Sequence, residues 1–184
     1  MEPVAYPAML SFDIRSLESK AEAVDGELLP TDPVWIEGDP LPQGPVRVSG
    51  RLSAAGPGRF YLSGRIAGTA LGECRRCLTD VLSEIDVDAN LVFAEQGLDG
   101  ADDDSDEYPF DPGDRALDLR PAVREEWLLA APAFPLCRED CRGLCPQCGA
   151  DLNADPDHTH AATDARWETL RNALGGAGGA PAAD

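Results

Sequence analysis

No run of about eighteen or more apolar residues occurs in the 184-residue chain, so nothing in it reads as a membrane-spanning helix. The opening stretch, residues 1–7, lacks the basic and apolar regions of a secretory signal, so a cytoplasmic protein with no membrane partner is expected. Basic residues are scarce, with 15 Lys and Arg against 34 Asp and Glu and a formal charge of -19. So acidic a molecule is repelled as a whole by a phosphate backbone, which excludes nucleic-acid binding over its entire surface. There is no nucleophile set with histidine and acid, no phosphate loop, no dinucleotide fingerprint and no His-x-Glu of a zinc deaminase. These absences point away from an enzyme and from a small-molecule substrate.

The acid is unevenly spread. Residues 1–44 hold nine acidic and two basic residues, and residues 94–114 hold nine acidic and none basic. Residues 45–93 are nearly neutral, with six arginines against five acids. At physiological salt the Debye length is about 8 Å, so a locally basic face can still act if the acidic segments lie elsewhere.

What is present is cysteine, in an unusual concentration. Cys137, Cys141, Cys145 and Cys148 fall within twelve residues in the pattern C-x3-C-x3-C-x2-C. Four soft donors with short loops between them are the ligand set of a tetrahedral structural zinc site, and each loop is cheap to close. A disulfide pair or buried thiols without metal are the alternatives, and a reducing compartment weighs against the first. In Cys145-Pro-Gln-Cys-Gly149 the proline fixes the backbone after one ligand, and the glycine can take the positive φ of a metal-binding turn. Cys74 and Cys77 form a second, distant pair. They admit three readings: additional zinc ligands, in a ribbon-like site with Cys145 and Cys148, plain reduced thiols, or a redox dithiol.

Alternation marks two strands, 46–53 and 60–70, around a turn at 54–58, and a third at 81–93. Gly50, Gly64 and Gly68 fall on their inward face, as in a strongly curved or barrel-like sheet. Arg47, Arg51, Tyr61 and Arg65 fall on the opposite face, where arginine forks and an aromatic ring suit phosphate and base contacts, although such a face is commonly just solvated. Residues 9–14 suggest an edge strand and 34–36 a short one, within a Pro- and Gly-rich loop over 18–45. Residues 96–114 carry eight acids and few large apolar side chains, which predicts a solvated loop that can be replaced without loss of stability. Asp118 is placed to cap a helix over 118–131, with Leu119, Val123 and Trp127 stacked on one side, and a last helix is expected over 164–174. The fold class is therefore α+β: an antiparallel, curved β-sheet or partial barrel, then C-terminal helices flanking a small zinc-binding cysteine cluster. Residues 1–132 form the β-rich domain, 133–174 the cysteine subdomain with the final helix, and 175–184 a flexible tail.

Three stretches in this order, Gly72-Glu-Cys-Arg-Arg-Cys-Leu78, residues 118–129, and 136–153 with the cysteine cluster, resemble the YceD family of large ribosomal RNA subunit accumulation proteins. The resemblance covers roughly residues 45 to 174 without the acidic loop. It implies a cytoplasmic, non-enzymatic factor for accumulation or processing of large-subunit ribosomal RNA during ribosome biogenesis, with that RNA or a basic ribosomal protein as partner. In that family cysteine can stand near His158 and His160, so the resemblance makes these two candidate ligands; otherwise they are exposed loop histidines. Six cysteines and two histidines make eight donors, the number for two tetrahedral sites. The competing functions are an acidic adaptor that holds a basic protein without touching RNA, and a thiol-based redox switch.

Overall fold

Period-two alternation over residues 46–95 becomes three long antiparallel strands in the structure, a computed structural model that describes residues 10–97 and 106–160. In chain order the elements are β1 (Ser11–Asp13), α1 (Ile14–Ser19), β2 (Glu22–Leu28), β3 (Val46–Gly56), β4 (Arg59–Glu73), β5 (Asp80–Glu95), β6 (Glu107–Phe110), β7 (Ala116–Asp118) and α2 (Arg120–Ala130). Five of them form one open sheet in the order β2-β3-β4-β5-β6, antiparallel except for the parallel pair β5-β6. β1 and β7 make a separate two-stranded ribbon. The architecture is α+β, rich in strands and poor in helices, and the sheet is open and mixed.

Register aligns the apolar residues of one face. Val48 pairs with Ile66 and Ile66 with Val87, while Leu52 pairs with Leu62 and Leu62 with Leu91. Val46, Val48, Leu52, Leu62 and Ile66 are at most 1% exposed, and each such side chain contributes roughly 1.5–3 kcal/mol by leaving water. Helix α2 lies on this face through Val123 and Trp127, with Leu119 at its N-cap beside them, all fully buried; Asp118, expected to cap and start the helix, instead ends β7. Pro121 sits in its first turn, where a missing N–H costs nothing, and the Asp118 carboxylate accepts the Arg120 N–H at 3.0 Å. The helix ends at Ala131, which is extended ahead of Pro132 as the pre-proline position demands. The inward glycines serve close approach. A Cβ on Gly50 or Gly64 would run into the backbone of the other's strand, and one on Gly68 would lie 2.9 Å from Trp127 Cζ3.

The acidic segments hold more structure than their composition predicts. Residues 34–36 are not a strand: Trp35 lies in a turn, donates its indole N–H to the Leu29 carbonyl at 2.8 Å and meets Trp127 edge-on at 6.3 Å. β2, inside the expected loop, buries Val24, Gly26 and Leu28 on alternate positions and leaves Asp25 and Glu27 on the opposite face. The expected loop over 96–114 contains β6, whose Tyr108 and Phe110 stack on Phe93 and Phe60 at 5.6 and 5.7 Å. Arg59 pairs with Glu107 there at 3.1 Å. The arginines of α2 consume further acid, Arg124 gripping Asp39 at 2.7 and 2.8 Å and Arg120 gripping Asp118. That hydrogen bond from Arg124 holds the Asp39 carboxyl below its ordinary value of 3.8. The helix expected over 164–174 and the tail at 175–184 lie outside the described residues.

Candidate metal centre

Two tight turns of one design present the paired cysteines. At the β4–β5 turn, Leu78 N–H reaches back to Cys74 C=O, and Cys74 N–H binds Thr79 C=O, both at 2.8 Å. At Cys145-Pro-Gln-Cys-Gly149 the same two bonds recur, Gly149 N–H to Cys145 C=O and Cys145 N–H to Ala150 C=O, again at 2.8 Å. The residue after the second cysteine is left-handed in both, with φ +75° at Gly149 and +61° at Leu78. Glycine takes that conformation freely, whereas a leucine there costs roughly 1–2 kcal/mol.

Residues 135–144 wrap around the first turn. Arg75 N–H donates to Pro135 C=O at 3.0 Å, Leu144 N–H donates to Arg76 C=O at 3.0 Å, and the Arg76 guanidinium donates to Cys141 C=O at 2.8 Å. Gly143 has φ +77°, and a Cβ there would come within 2.8 Å of the Arg76 carbonyl oxygen. Arg75 and Arg76 thus hold the later segment in place with their backbone as much as their charge.

This wrapping divides the eight donors into two groups, Cys74, Cys77, Cys137 and Cys141 in one, Cys145, Cys148, His158 and His160 in the other. The ligand atoms within each group all lie within 4.8 Å of one another. The expected grouping of Cys137, Cys141, Cys145 and Cys148 about one ion is therefore corrected, and so is the ribbon-like set that joins Cys74 and Cys77 to Cys145 and Cys148. Local spacing favoured the first, but the folded sheet has already brought the distant turn to Cys137 and Cys141, removing the closure cost that argued against it.

The distances suit a tetrahedral ion. Sulfur separations are 3.8 Å for Cys74–Cys141 and 3.5 Å for Cys77–Cys137. Four sulfurs about 2.3 Å from a common centre stand about 3.8 Å apart, whereas a disulfide needs about 2.05 Å. In the second group Cys148 Sγ lies 3.2 Å from Nε2 of both His158 and His160, and the two Nε2 atoms are 2.9 Å apart. Those spacings are a few tenths of an ångström inside the roughly 3.6 and 3.3 Å edges of a mixed sulfur and nitrogen tetrahedron. His158 turns its Nδ1 toward the Asp155 carboxylate at 3.4 Å, which leaves Nε2 as the ligating atom. Asn153 donates to Cys141 Sγ at 3.5 Å and accepts from Arg142 N–H and the Arg138 guanidinium. Its support role was hidden in sequence, because asparagine is not one of the usual zinc ligands.

Electrostatics point the same way. The backbone N–H of Cys137, joined by those of Arg76 and Cys77, brings the Cys74 thiol down to about 6. N–H groups of Gln147 and Cys148 do the same for Cys145, also to about 6. The Thr79 hydroxyl, 3.1 Å away, lowers Cys77. Cys137 goes the other way, pushed up to about 12 chiefly by its contact with Cys77. Four thiolates this close repel one another, and a divalent cation relieves that repulsion. The groups could hold a metal ion each, one set buried at Cys74, Cys77 and Cys141, the other largely exposed.

Arg47, Arg51, Tyr61 and Arg65 share the sheet face opposite the core, as alternation requires, but in acidic company. Arg47 lies 3.6 Å from Glu27, Arg65 makes a two-pronged pair with Asp86, and Tyr61 donates to Asn90 at 2.7 Å. Asp25, Glu27, Glu73, Glu84, Asp86 and Asp88 project from the same face, so it carries more acid than base.

The family model described as large ribosomal RNA subunit accumulation protein YceD matches residues 62–173, a span that contains all eight donors. Uncharacterized proteins of Mycobacterium tuberculosis and Mycobacterium bovis are 38% identical over 117 residues, 62% of this chain. One of Mycobacterium leprae is 30% identical over 126 residues, 61% of this chain. The chain spans 55% of the length of the first two relatives and 52% of the third. No solved structure matches.

Proposed function

The chain belongs to the YceD family of large ribosomal RNA subunit accumulation proteins, and from that premise we propose that it is a non-enzymatic factor for large-subunit ribosomal RNA, built around two structural zinc ions. The grouping of eight donors into two sets of four carries the zinc part of this reading. Cys74, Cys77, Cys137 and Cys141 would hold one ion, and Cys145, Cys148, His158 and His160 the other. Zinc, once bound, supplies cross-links between segments distant in sequence. A donor set of four protein ligands is closed and leaves no position for water or substrate, which is why the reading is structural. The chain's own residues preorganise the sites: Arg76 and Gly143 dock the later segment on the first turn, Thr79 and the N–H groups support thiolates, and Asp155 orients His158.

The family's name ties it to accumulation of large-subunit RNA, and the partner in this reading is that RNA or a basic ribosomal protein. The acid on the outer sheet face and the overall charge of -19 favour the protein as first contact. Among the described residues no helix is long and apolar enough to cross a membrane. Two measurements test the reading. Metal analysis of the purified full chain should return two zinc ions, and cells carrying Cys77→Ser should lose large-subunit RNA relative to small-subunit RNA. A metal-free folded chain, or unchanged large-subunit RNA on removal of the protein, overturns it.

A further inference from the structure

We infer that the outer face of the sheet, at the end nearest the first cysteine turn, is a docking surface for a basic amphipathic helix of a protein partner. The inference deepens the reading above and rests on it only for the partner's ribosomal origin.

Three leucines carry it. Pro42 bridges Ala70, and Leu71 N–H meets Leu41 C=O at 3.5 Å, so residues 41–43 take the place beside β4 that β3 has left. On the other side Leu71 pairs with Leu82. Pro42 and Ala70 are buried and point inward, so Leu41, Leu71 and Leu82 point outward as one row across three strands. They are 47%, 43% and 55% exposed. Leu78, at the tip of the same hairpin, is 60% exposed.

The inner side of this end is filled. Gly68 faces Trp127, and a Cβ on Gly72 would touch Pro135 at 3.2 Å, so α2 and the start of the cysteine segment both lie on the inner face. Among the described residues nothing covers the leucine row. Carboxylates bracket it: Glu73 and Asp80, paired across β4 and β5, lie one step beyond the row, and Glu84 lies one step before it, opposite Thr69. None of these three has a basic group at ion-pair distance among the described residues, whereas Asp86 is already taken by Arg65.

Spacing selects the occupant. Strands stand about 4.8 Å apart, so the row is about 10 Å long, with the carboxylates about 7 Å to either side. An α-helix carries an apolar stripe at i, i+3 or i+4, and i+7 over about 10 Å, with flanking positions on both sides of it. A helix laid along the row would place leucine-like side chains on Leu41, Leu71 and Leu82, and Lys or Arg beside the stripe would reach Glu73, Asp80 and Glu84. Apolar contact fixes the position and the charges exclude acidic partners. RNA is disfavoured, because the same carboxylates meet its phosphates.

The test uses the full chain as purified and a labelled synthetic helix of roughly 18 residues with leucines on one stripe and lysines or arginines flanking it, against a scrambled peptide of identical composition. Fluorescence anisotropy at physiological salt should show the amphipathic peptide binding at least about tenfold tighter than the scrambled one. Leu71→Ser with Leu82→Ser should each remove part of that preference, and Glu73→Gln, Asp80→Asn and Glu84→Gln together should remove the rest. These side chains are exposed, so unchanged circular dichroism and melting temperature will show that the variants fold. Equal binding of both peptides, or binding untouched by the leucine changes, overturns the inference and leaves only the attraction of a chain of charge -19 for any cation. Displacement of the peptide by a short single-stranded RNA in a leucine-dependent manner also overturns it. Failure here leaves the large-subunit RNA test above standing. Conversely, binding as expected in a chain whose loss does not affect that RNA keeps the surface and removes only the partner's ribosomal origin.

Discussion

Removing metal should loosen the sheet and not just the cysteine segment. Cys77 and Cys137 are sixty residues apart, as are other pairs across the first centre within a few residues. In the chain-entropy picture, a cross-link closing a loop of that length restricts the unfolded chain by about 4 kcal/mol, against about 2 kcal/mol for the four-residue loop from Cys137 to Cys141. The longer link acts on the β4–β5 turn, where Leu71 pairs with Leu82 and Glu73 with Asp80. On chelation, amides at 71–73 and 81–83 should lose protection by as much as about a thousandfold, the equivalent of about 4 kcal/mol. Hydrogen exchange read by mass spectrometry resolves those peptides from β3 and the far end of β4. If chelation releases zinc yet increases exchange only within 137–160, the long-range grouping is wrong and the local four-cysteine site returns.

Three further expectations follow from the packing. Trp127→Ala empties a fully buried site and leaves the Pro40 carbonyl without its 2.8 Å partner, so it should cost about 3–5 kcal/mol in a denaturant titration. Replacing residues 106–114 with a Gly-Ser linker removes the Tyr108 and Phe110 stacks and should lower the melting temperature by several degrees, contrary to the solvated-loop expectation. Asp39 has a folded pKa below its ordinary 3.8, so its pairing with Arg124 stabilises fully above that value and is lost as pH falls through 3.8 toward the folded value. Acid titration of Asp39→Asn should therefore show a shallower loss of stability in that window than the parent chain.

The sheet over residues 46–95 was legible because Val, Leu and Ile alternate there with Arg and Ser, and the inward glycines correctly marked close backbone approach. Helix α2 was legible through Leu119, Val123 and Trp127. β2 and β6 were not, since Gly26 interrupts the inward row between Val24 and Leu28 and the surrounding Pro, Gly and acid read as loop, and four residues of β6 are too few to show a period. The donor types were readable, but their partition was not. Sequence spacing measures closure cost in an unfolded chain, whereas the sheet had already brought Cys74 and Cys77 to the place where Cys137 and Cys141 arrive.

Sixty residues between Cys77 and Cys137 also set an order in time. At a synthesis rate of roughly 5–20 residues per second, the first turn is complete about 3–12 s before its partners are made. During that interval the hairpin carries two thiols without the other half of their site. Cys141 is then the residue whose arrival turns a bare dithiol into a closed set of four, and a chain arrested before it is one that oxidants and competing metals can reach.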